Sequence, residues 1–141
     1  MQLVLNDQTE PEVAMALRGV LRPGYIQIWV TDLGAALKHY VDRVGLHEVS
    51  READGRAYLR AWDEFDRHSV VLREADGPGM DYVGFKVANE ADLNSFARRI
   101  EAFGIEVEEV SAEEQPGVWS TLEVPCSDRP SYRIVRGDGA V

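Results

Sequence analysis

The fold of this chain is decided by Gly24–Val49, which reads GYIQIWVTDLGAALKHYVDRVGLHEV. Every second residue in Ile26–Val30 is aliphatic, and this period of two predicts a strand. Thr31 or Asp32 can cap a following helix by accepting hydrogen bonds from the free N–H groups of its first turn. Gly45 is typical of a helix end, since glycine readily adopts a left-handed conformation, and a second strand is predicted after it. The predicted apolar face of the helix contains Leu33, Ala36, Leu37, Tyr40, Val41 and Val44.

The same pattern starts again at Tyr82, 57 positions after Tyr25, in YVGFKVANEADLNSFARRIEAFGIEV. Gly45 and Gly104, the two predicted helix ends, are 59 positions apart, so the copies stay nearly in step. Asn89 is the predicted cap of the second helix. Two strand–helix units at this spacing predict a duplicated module. The predicted apolar face of the second helix contains Leu93, Phe96, Ala97, Ile100 and Phe103.

Length and composition indicate a globular domain of ordinary size. With 141 residues, of which 45% are hydrophobic, the chain can bury its own core. Its formal net charge of -10 argues against non-specific nucleic-acid binding, which requires basic surface. Cys126 is the single cysteine, which excludes an internal disulfide framework and is typical of a reducing compartment. Because the sequence has no apolar run of membrane-spanning length and no secretory leader, we expect a cytoplasmic protein with no membrane partner.

The rest of the chain is predicted to complete two modules, each with one strand, one helix and three further strands. Residues 1–18 form an N-terminal extension, which is polar over Met1–Pro11 and for which a short helix is predicted over Glu12–Arg18. Arg22–Gly24 mark the entry to the first strand. Asp54-Gly55 predicts a hairpin, because the turn needs positive φ, and Asp76–Gly79 is the connector between modules. We expect a single domain over 19–141 with modules at about 24–73 and 81–136. The further predicted strands are Leu46–Arg51, Arg56–Trp62, Ser69–Arg73, Asp81–Val87, Ile105–Val110, Trp119–Val124 and Tyr132–Arg136.

Two long stretches carry a resemblance to a known family. RPGYIQIWVTDLGAALKHYVDRVGL and DGRAYLRAWDEFDRHSVVLREADGPGMDYVGFKV resemble the N-terminal domain of catechol 2,3-dioxygenase, an extradiol ring-cleaving enzyme of the vicinal-oxygen-chelate superfamily. That superfamily also contains glyoxalase and bleomycin-resistance proteins. The resemblance covers about Gly19–Arg136. It implies an α+β fold in which two βαβββ modules form a curved mixed sheet with helices on its outer face.

The resemblance also implies where the chemistry of the family lies. The family's enzyme is about twice as long, and its Fe(II) is held by two histidines and one glutamate in a C-terminal domain. That domain has no counterpart in these 141 residues. The corresponding positions in this chain are near Tyr25, Tyr82 and Arg133, none of which is a usual iron ligand. We therefore expect no catalytic and no metal-binding residue here, and no cofactor in this chain alone.

A set of polar and aromatic residues lies on the strand face opposite the aliphatic ones. In this fold that face opens as a cavity, where tyrosine and tryptophan can stack on an aromatic ring. The competing interpretation is that the same residues fill the cavity and pack against a partner domain. The candidate cavity-lining residues are Tyr25, Gln27, Trp29, Tyr82, Lys86 and Arg133.

The three histidines and the cysteine give no motif. His39 and His47 lie in charged surroundings and are predicted to be solvated, and His68 is predicted to be a polar strand end rather than a ligand. Their spacing matches neither HxH nor HExxH. Cys126 lies between prolines with no paired base that would produce a thiolate.

Two functions from different classes fit these observations. The first is a structural domain of an extradiol dioxygenase, which supports a catalytic C-terminal domain or assembles with further copies of itself. The linker-like end at Gly137–Val141 favours it. The second is a free-standing, metal-free binding protein that holds a small aromatic ligand in its sheet cavity. A third, a small metal-dependent glyoxalase-like enzyme, is weakened by the missing ligands.

Overall fold

The computed structural model describes residues 19–64, 66–110, 120–127 and 130–136. They form eight strands and two helices. The strands, numbered β1 to β8 in chain order, are Val20–Val30, His47–Arg51, Ala57–Arg60, Val70–Glu74, Gly79–Val87, Glu108–Val110, Thr121–Val124 and Ser131–Arg136. The helices are α1, Leu33–Lys38, which continues as a π-helical turn over His39–Arg43, and α2, Glu90–Glu101.

All eight strands belong to one mixed sheet in the order β2-β3-β4-β1-β5-β8-β7-β6. The central strands β1 and β5 are antiparallel, while β1 pairs with β4 and β5 pairs with β8 in parallel. The order therefore reads the same from both edges once each strand of the first module is replaced by its counterpart in the second. The α+β fold with two βαβββ modules is confirmed.

Local signals in the sequence place both helices. The Asp32 side chain accepts a hydrogen bond from the Ala35 N–H at 2.8 Å, and Asn89 accepts one from the Asp92 N–H at 2.9 Å. Each cap satisfies a donor that the first turn of a helix leaves free. Gly45 has φ +86°, which confirms the left-handed stop after the first helix.

Strand β1 begins earlier than predicted. Arg22–Gly24, which are predicted to mark the entry to the first strand, lie within it, because β1 starts at Val20 and pairs through Pro23 with β5. The pairing with β4 starts only at Ile26, so Pro23 lies where β1 is bonded on one side. Proline lacks an N–H donor and is tolerated at such an edge, and the register shifts around it absorb the irregularity.

The apolar face of the first helix ends before the prediction placed it. Val44 donates its N–H to the His39 carbonyl at 3.1 Å, a bond that spans five residues and defines a π turn. The additional residue in this turn rotates the later side chains outward. Val41 is 36% exposed and Val44 is 53% exposed, so their assignment to the core is wrong. Phe103 is likewise 85% exposed, because α2 ends at Glu101.

Each helix covers its own apolar cluster on the outer face of the sheet. Under α1, partly buried helix side chains including Leu37 pack on Leu59 and Leu72, which are fully buried. Under α2, Leu93 packs on its neighbours from β5, β7 and β8, with Phe96 against the same cluster. The opposite, concave face of the sheet is not covered by the helices, and it carries the predicted site residues. Within the described residues, no helix is both long and apolar enough to cross a membrane. Trp119, the extension 1–18 and the end 137–141 lie outside the described residues.

Candidate functional site

The strand registers bring Tyr25, Tyr82 and Arg133 together at the centre of the concave face. Tyr25 on β1 and Arg133 on β8 both pair with Gly84 on β5. The Tyr25 and Tyr82 rings meet edge to face with centroids 5.6 Å apart, and the Arg133 guanidinium lies 3.8 Å from the Tyr82 centroid. A Cβ at Gly84 would lie 2.8 Å from the Tyr25 ring, so only glycine lets this ring cross β5.

A hydrogen-bond chain continues from Tyr82 along the same face. Its hydroxyl donates to Gln27 Oε1 at 2.7 Å, and Gln27 Nε2 donates to Asp81 Oδ2 at 2.7 Å. Arg73 Nε donates to the same Asp81 oxygen at 3.0 Å. Partial burial acts to raise the pKa of Asp81, but the donors around it outweigh burial and lower that pKa. The carboxylate is thus fixed in its charged form.

The remaining candidate residues lie toward the two ends of this face. The Arg73 guanidinium lies 4.9 Å from the Trp29 ring centroid. Lys86 forms an ion pair with Asp66 in the β3–β4 connection, and Arg22 reaches the same carboxylate at 2.6 Å. Although partial burial acts to raise the pKa of Asp66, its bonds with Lys86 and Arg22 lower it. These pairs hold the β3–β4 connection against β1 and β5.

His68, predicted to be a polar strand end, has surroundings that the sequence did not predict. It is only 4% exposed, and its ring meets Tyr25 and Tyr58 edge to face at 5.6 and 4.8 Å. Neither ring nitrogen has a hydrogen-bond partner within the described residues. Burial, with the charge of Arg67, lowers the pKa of His68 to about 4. No signal in the sequence separates it from His39 and His47, which are exposed as predicted.

The chemistry of the central residues does not fit an iron(II) centre. Burial raises the pKa of Tyr25 to about 12, against the opposing charge of Arg133, and burial also raises the pKa of Tyr82. Both phenols are therefore neutral at ordinary pH, and a guanidinium cannot lose its proton to become a ligand. Arg133 is instead paired with Glu123 at 2.7 Å. Across the described ranges, no three His, Cys, Asp or Glu side chains converge to hold a metal ion.

Comparison with known proteins relates this fold and sequence to aromatic ring-cleaving enzymes. Residues 80–122 match the family model of the catechol 2,3-dioxygenase-like N-terminal domain. The metapyrocatechase of Pseudomonas sp. strain CF600 is 49% identical over 100 residues, which are 71% of this chain and 33% of that protein. The 2,3-dioxygenase LapB from Pseudomonas sp. KL28 superposes with a TM-score of 0.80 at 31% identity, over 85% of this chain and 42% of LapB. The chain thus resembles the N-terminal domain of the catechol 2,3-dioxygenases over most of its length.

Less similar relatives show the same difference in length. The manganese-dependent 2,3-dihydroxybiphenyl 1,2-dioxygenase of Geobacillus genomosp. 3 is 29% identical over 67% of the chain and 30% of that enzyme. An extradiol ring-cleaving dioxygenase from B. fuscum superposes with a TM-score of 0.75 at 25% identity, over 85% of this chain and 33% of that one. The chain thus spans about a third of the length of the curated relatives that it matches.

Proposed function

We propose that this chain is the non-catalytic N-terminal domain of a longer extradiol dioxygenase that cleaves a catechol ring. In this proposal a second domain would hold iron(II), and that ion would supply binding of the catechol and activation of O₂. The present chain supports that domain and takes no part in the chemical step. Its own residues form the scaffold: the Tyr25 and Tyr82 rings and the Arg133 guanidinium pack on one another, and the described residues include no donor set for a metal.

The observation that carries the proposal is the side-chain chemistry at Tyr25, Tyr82 and Arg133. The sheet brings these three positions together, as a metal site would require, but it fills them with two neutral phenols and a guanidinium. Arg133 is only 5% exposed and is held by Glu123 and by the Tyr82 ring. A divalent cation at this point would meet a buried positive charge in a setting of low dielectric, which is strongly unfavourable.

The ligand-binding alternative depends on open space on the same face. Tyr25, Gln27 and Tyr82 are all nearly inaccessible to solvent, and each contacts another member of the set. A small aromatic ligand would have to displace these contacts rather than enter beside them. Because these side chains fill the concave face, the structure supports a scaffold better than it supports a free-standing binding protein.

Metal analysis together with a ring-cleavage assay tests this proposal. The purified chain is reconstituted anaerobically with iron(II), desalted and analysed for bound metal, and then supplied with catechol and O₂. We expect substoichiometric iron and no yellow semialdehyde product. A chimera in which the chain replaces the matched region of the Pseudomonas metapyrocatechase is expected to form that product.

Stoichiometric iron in the isolated chain, with turnover of catechol, would overturn the proposal. Loss of that turnover in His68→Ala would then locate a site at the buried histidine. An inactive chimera, beside active metapyrocatechase prepared in parallel, would show that the chain does not support an extradiol domain.

A further inference from the structure

A row of apolar side chains crosses the outer face of the sheet, and only part of this row lies under the helices. Paired residues of neighbouring strands stand side by side, so the registers place these side chains in one line. On the first-module side the row ends at Leu59, which is fully buried under α1. On the second-module side it ends at Tyr132, which is 45% exposed, and Val124. The full row is Leu59, Val70, Ile26, Val83, Tyr132 and Val124.

The two modules differ in the segment that comes after each helix. In the first module Leu46, just after the helix, packs on the cluster that contains Leu59. Its counterpart 59 positions later is Ile105, which is exposed, and Phe103 beside it is more exposed still. Because β6 runs antiparallel to β7 with Glu108 opposite Glu123, the chain before β6 continues toward the Val124 end of the row. The second module therefore exposes apolar side chains where the first module covers them.

We infer that this exposed region is the surface on which the rest of a longer polypeptide docks. We call it the open patch, and it consists of Tyr132, which is exposed, and of Val83, Phe85 and Val124, which are half-buried. The Phe85 and Tyr132 rings lie 6.4 Å apart and are tilted by 30°. Aromatic residues of this kind are enriched in the buried centres of interfaces. The inference rests on the proposed function, since it takes the docked element to be the second domain.

The size of the open patch favours a linked domain over a second copy of the chain. Four side chains, three of them half-buried, offer at most about a few hundred Å², well below the roughly 800 Å² per partner of a stable complex between separate proteins. A covalent link raises the effective concentration of the second domain, so that a smaller contact is sufficient. The relatives also supply the occupant, because about two thirds of the length of the metapyrocatechase lies outside the match.

Thiol labelling tests whether the open patch is covered. In a Cys126→Ser background, which removes the exposed native thiol, Tyr132→Cys is compared with Trp62→Cys as the matched control. Trp62 is an exposed aromatic residue outside the patch, 82% accessible. Labelling rates are measured by mass spectrometry in the isolated chain and in the metapyrocatechase chimera. We expect position 132 to label at least about tenfold more slowly in the chimera, whereas position 62 changes by less than about twofold.

The outcomes separate this inference from the proposed function. Equal rates at position 132 in both proteins, with an active chimera, would overturn the inference and leave the proposed function in place. Slow labelling at position 132 in an inactive chimera would support the docking surface and contradict the proposed function. Protection at position 132 that rises with the concentration of the isolated chain would identify a second copy as the occupant and overturn the inference. As a second measurement, Tyr132→Lys should lower the melting temperature of the chimera but not that of the isolated chain.

Discussion

Replacement of His68 by phenylalanine should abolish most of the loss of stability of this domain between pH 6.5 and pH 4. His68 is buried between the Tyr25 and Tyr58 rings, and neither nitrogen has a hydrogen-bond partner in the part of the chain that the structure describes. The phenyl ring of His68→Phe has nearly the same shape and cannot be protonated. The charged groups that face His68 are Arg67, which opposes protonation more strongly than Lys86, and Asp66, which favours it.

The magnitude depends on the difference between the pKa of His68 in the folded and unfolded chain. The folded pKa is about 4, below the ordinary value of 6.5, so the unfolded chain binds more protons between these values. The stabilisation is complete above pH 6.5 and is lost as the pH falls toward 4. At about 1.4 kcal/mol per unit, the free energy of unfolding should fall by up to about 3 kcal/mol over this range. Protonation of Asp66 and Asp81 also lowers the stability, but at lower pH, because the pKa values of these carboxyls lie below the ordinary range.

Urea denaturation at a series of pH values measures this effect. We expect the free energy of unfolding of the parent chain to fall between pH 6.5 and 4.5, and that of His68→Phe to stay nearly flat. His47→Gln is the control, because His47 is exposed and its replacement should leave the pH dependence of the parent unchanged. A parent curve that is flat over this range, or a His68→Phe curve as steep as that of the parent, would refute the reasoning.

Three further substitutions and one control test the packing, each by urea denaturation at neutral pH. Phe96→Ala should lower the free energy of unfolding by about 3–5 kcal/mol, because the ring packs on the α2 cluster, and a loss below about 1 kcal/mol would contradict this contact. Its control is Val41→Ala, at an exposed position, which should change the free energy by less than about 0.5 kcal/mol. Asn89→Ala should lower the free energy of unfolding by about 1 kcal/mol, because it deletes the α2 cap, whereas an unchanged free energy would mean that the cap is dispensable. Gly84→Ala should lower it by about 1–3 kcal/mol, since the new methyl group meets the Tyr25 ring, and a neutral result would refute that contact.

Local signals were sufficient to predict most of the fold. Asp32 and Asn89 cap the predicted helices, and Gly45 and Gly104 both have positive φ where the predicted helices end. These features depend on a few neighbouring residues, so a pattern in the sequence reports them directly. The repeat then fixes the topology, because two βαβββ units can share a sheet through their first strands.

The sequence could not predict the features that depend on long-range contacts. The π turn in the first helix changes which residues face the core, yet Val41 and Val44 fit an ordinary helical period. The sequence around His68 gives no sign that it is buried, since the Tyr25 and Tyr58 rings that enclose it come from strands β1 and β3. A residue that precedes a short strand can be buried or exposed, and which of the two it is depends on the packing of the whole sheet.

On the concave face, different features determine where the side chains lie and whether they can bind a metal. Strand registers alone bring Tyr25, Tyr82 and Arg133 together, and any three side chains at these positions would converge. Whether the convergence yields a metal site depends on charge. Here the guanidinium is paired with Glu123 and lies over the Tyr82 ring, so a metal cation at this point would meet a positive charge that is held in place. Replacing Arg133 alone with a metal ligand would leave the partly buried Glu123 carboxylate without this partner, and removing one member of such a pair is destabilising. The contacts that occupy these three positions therefore also contribute to the stability of the domain.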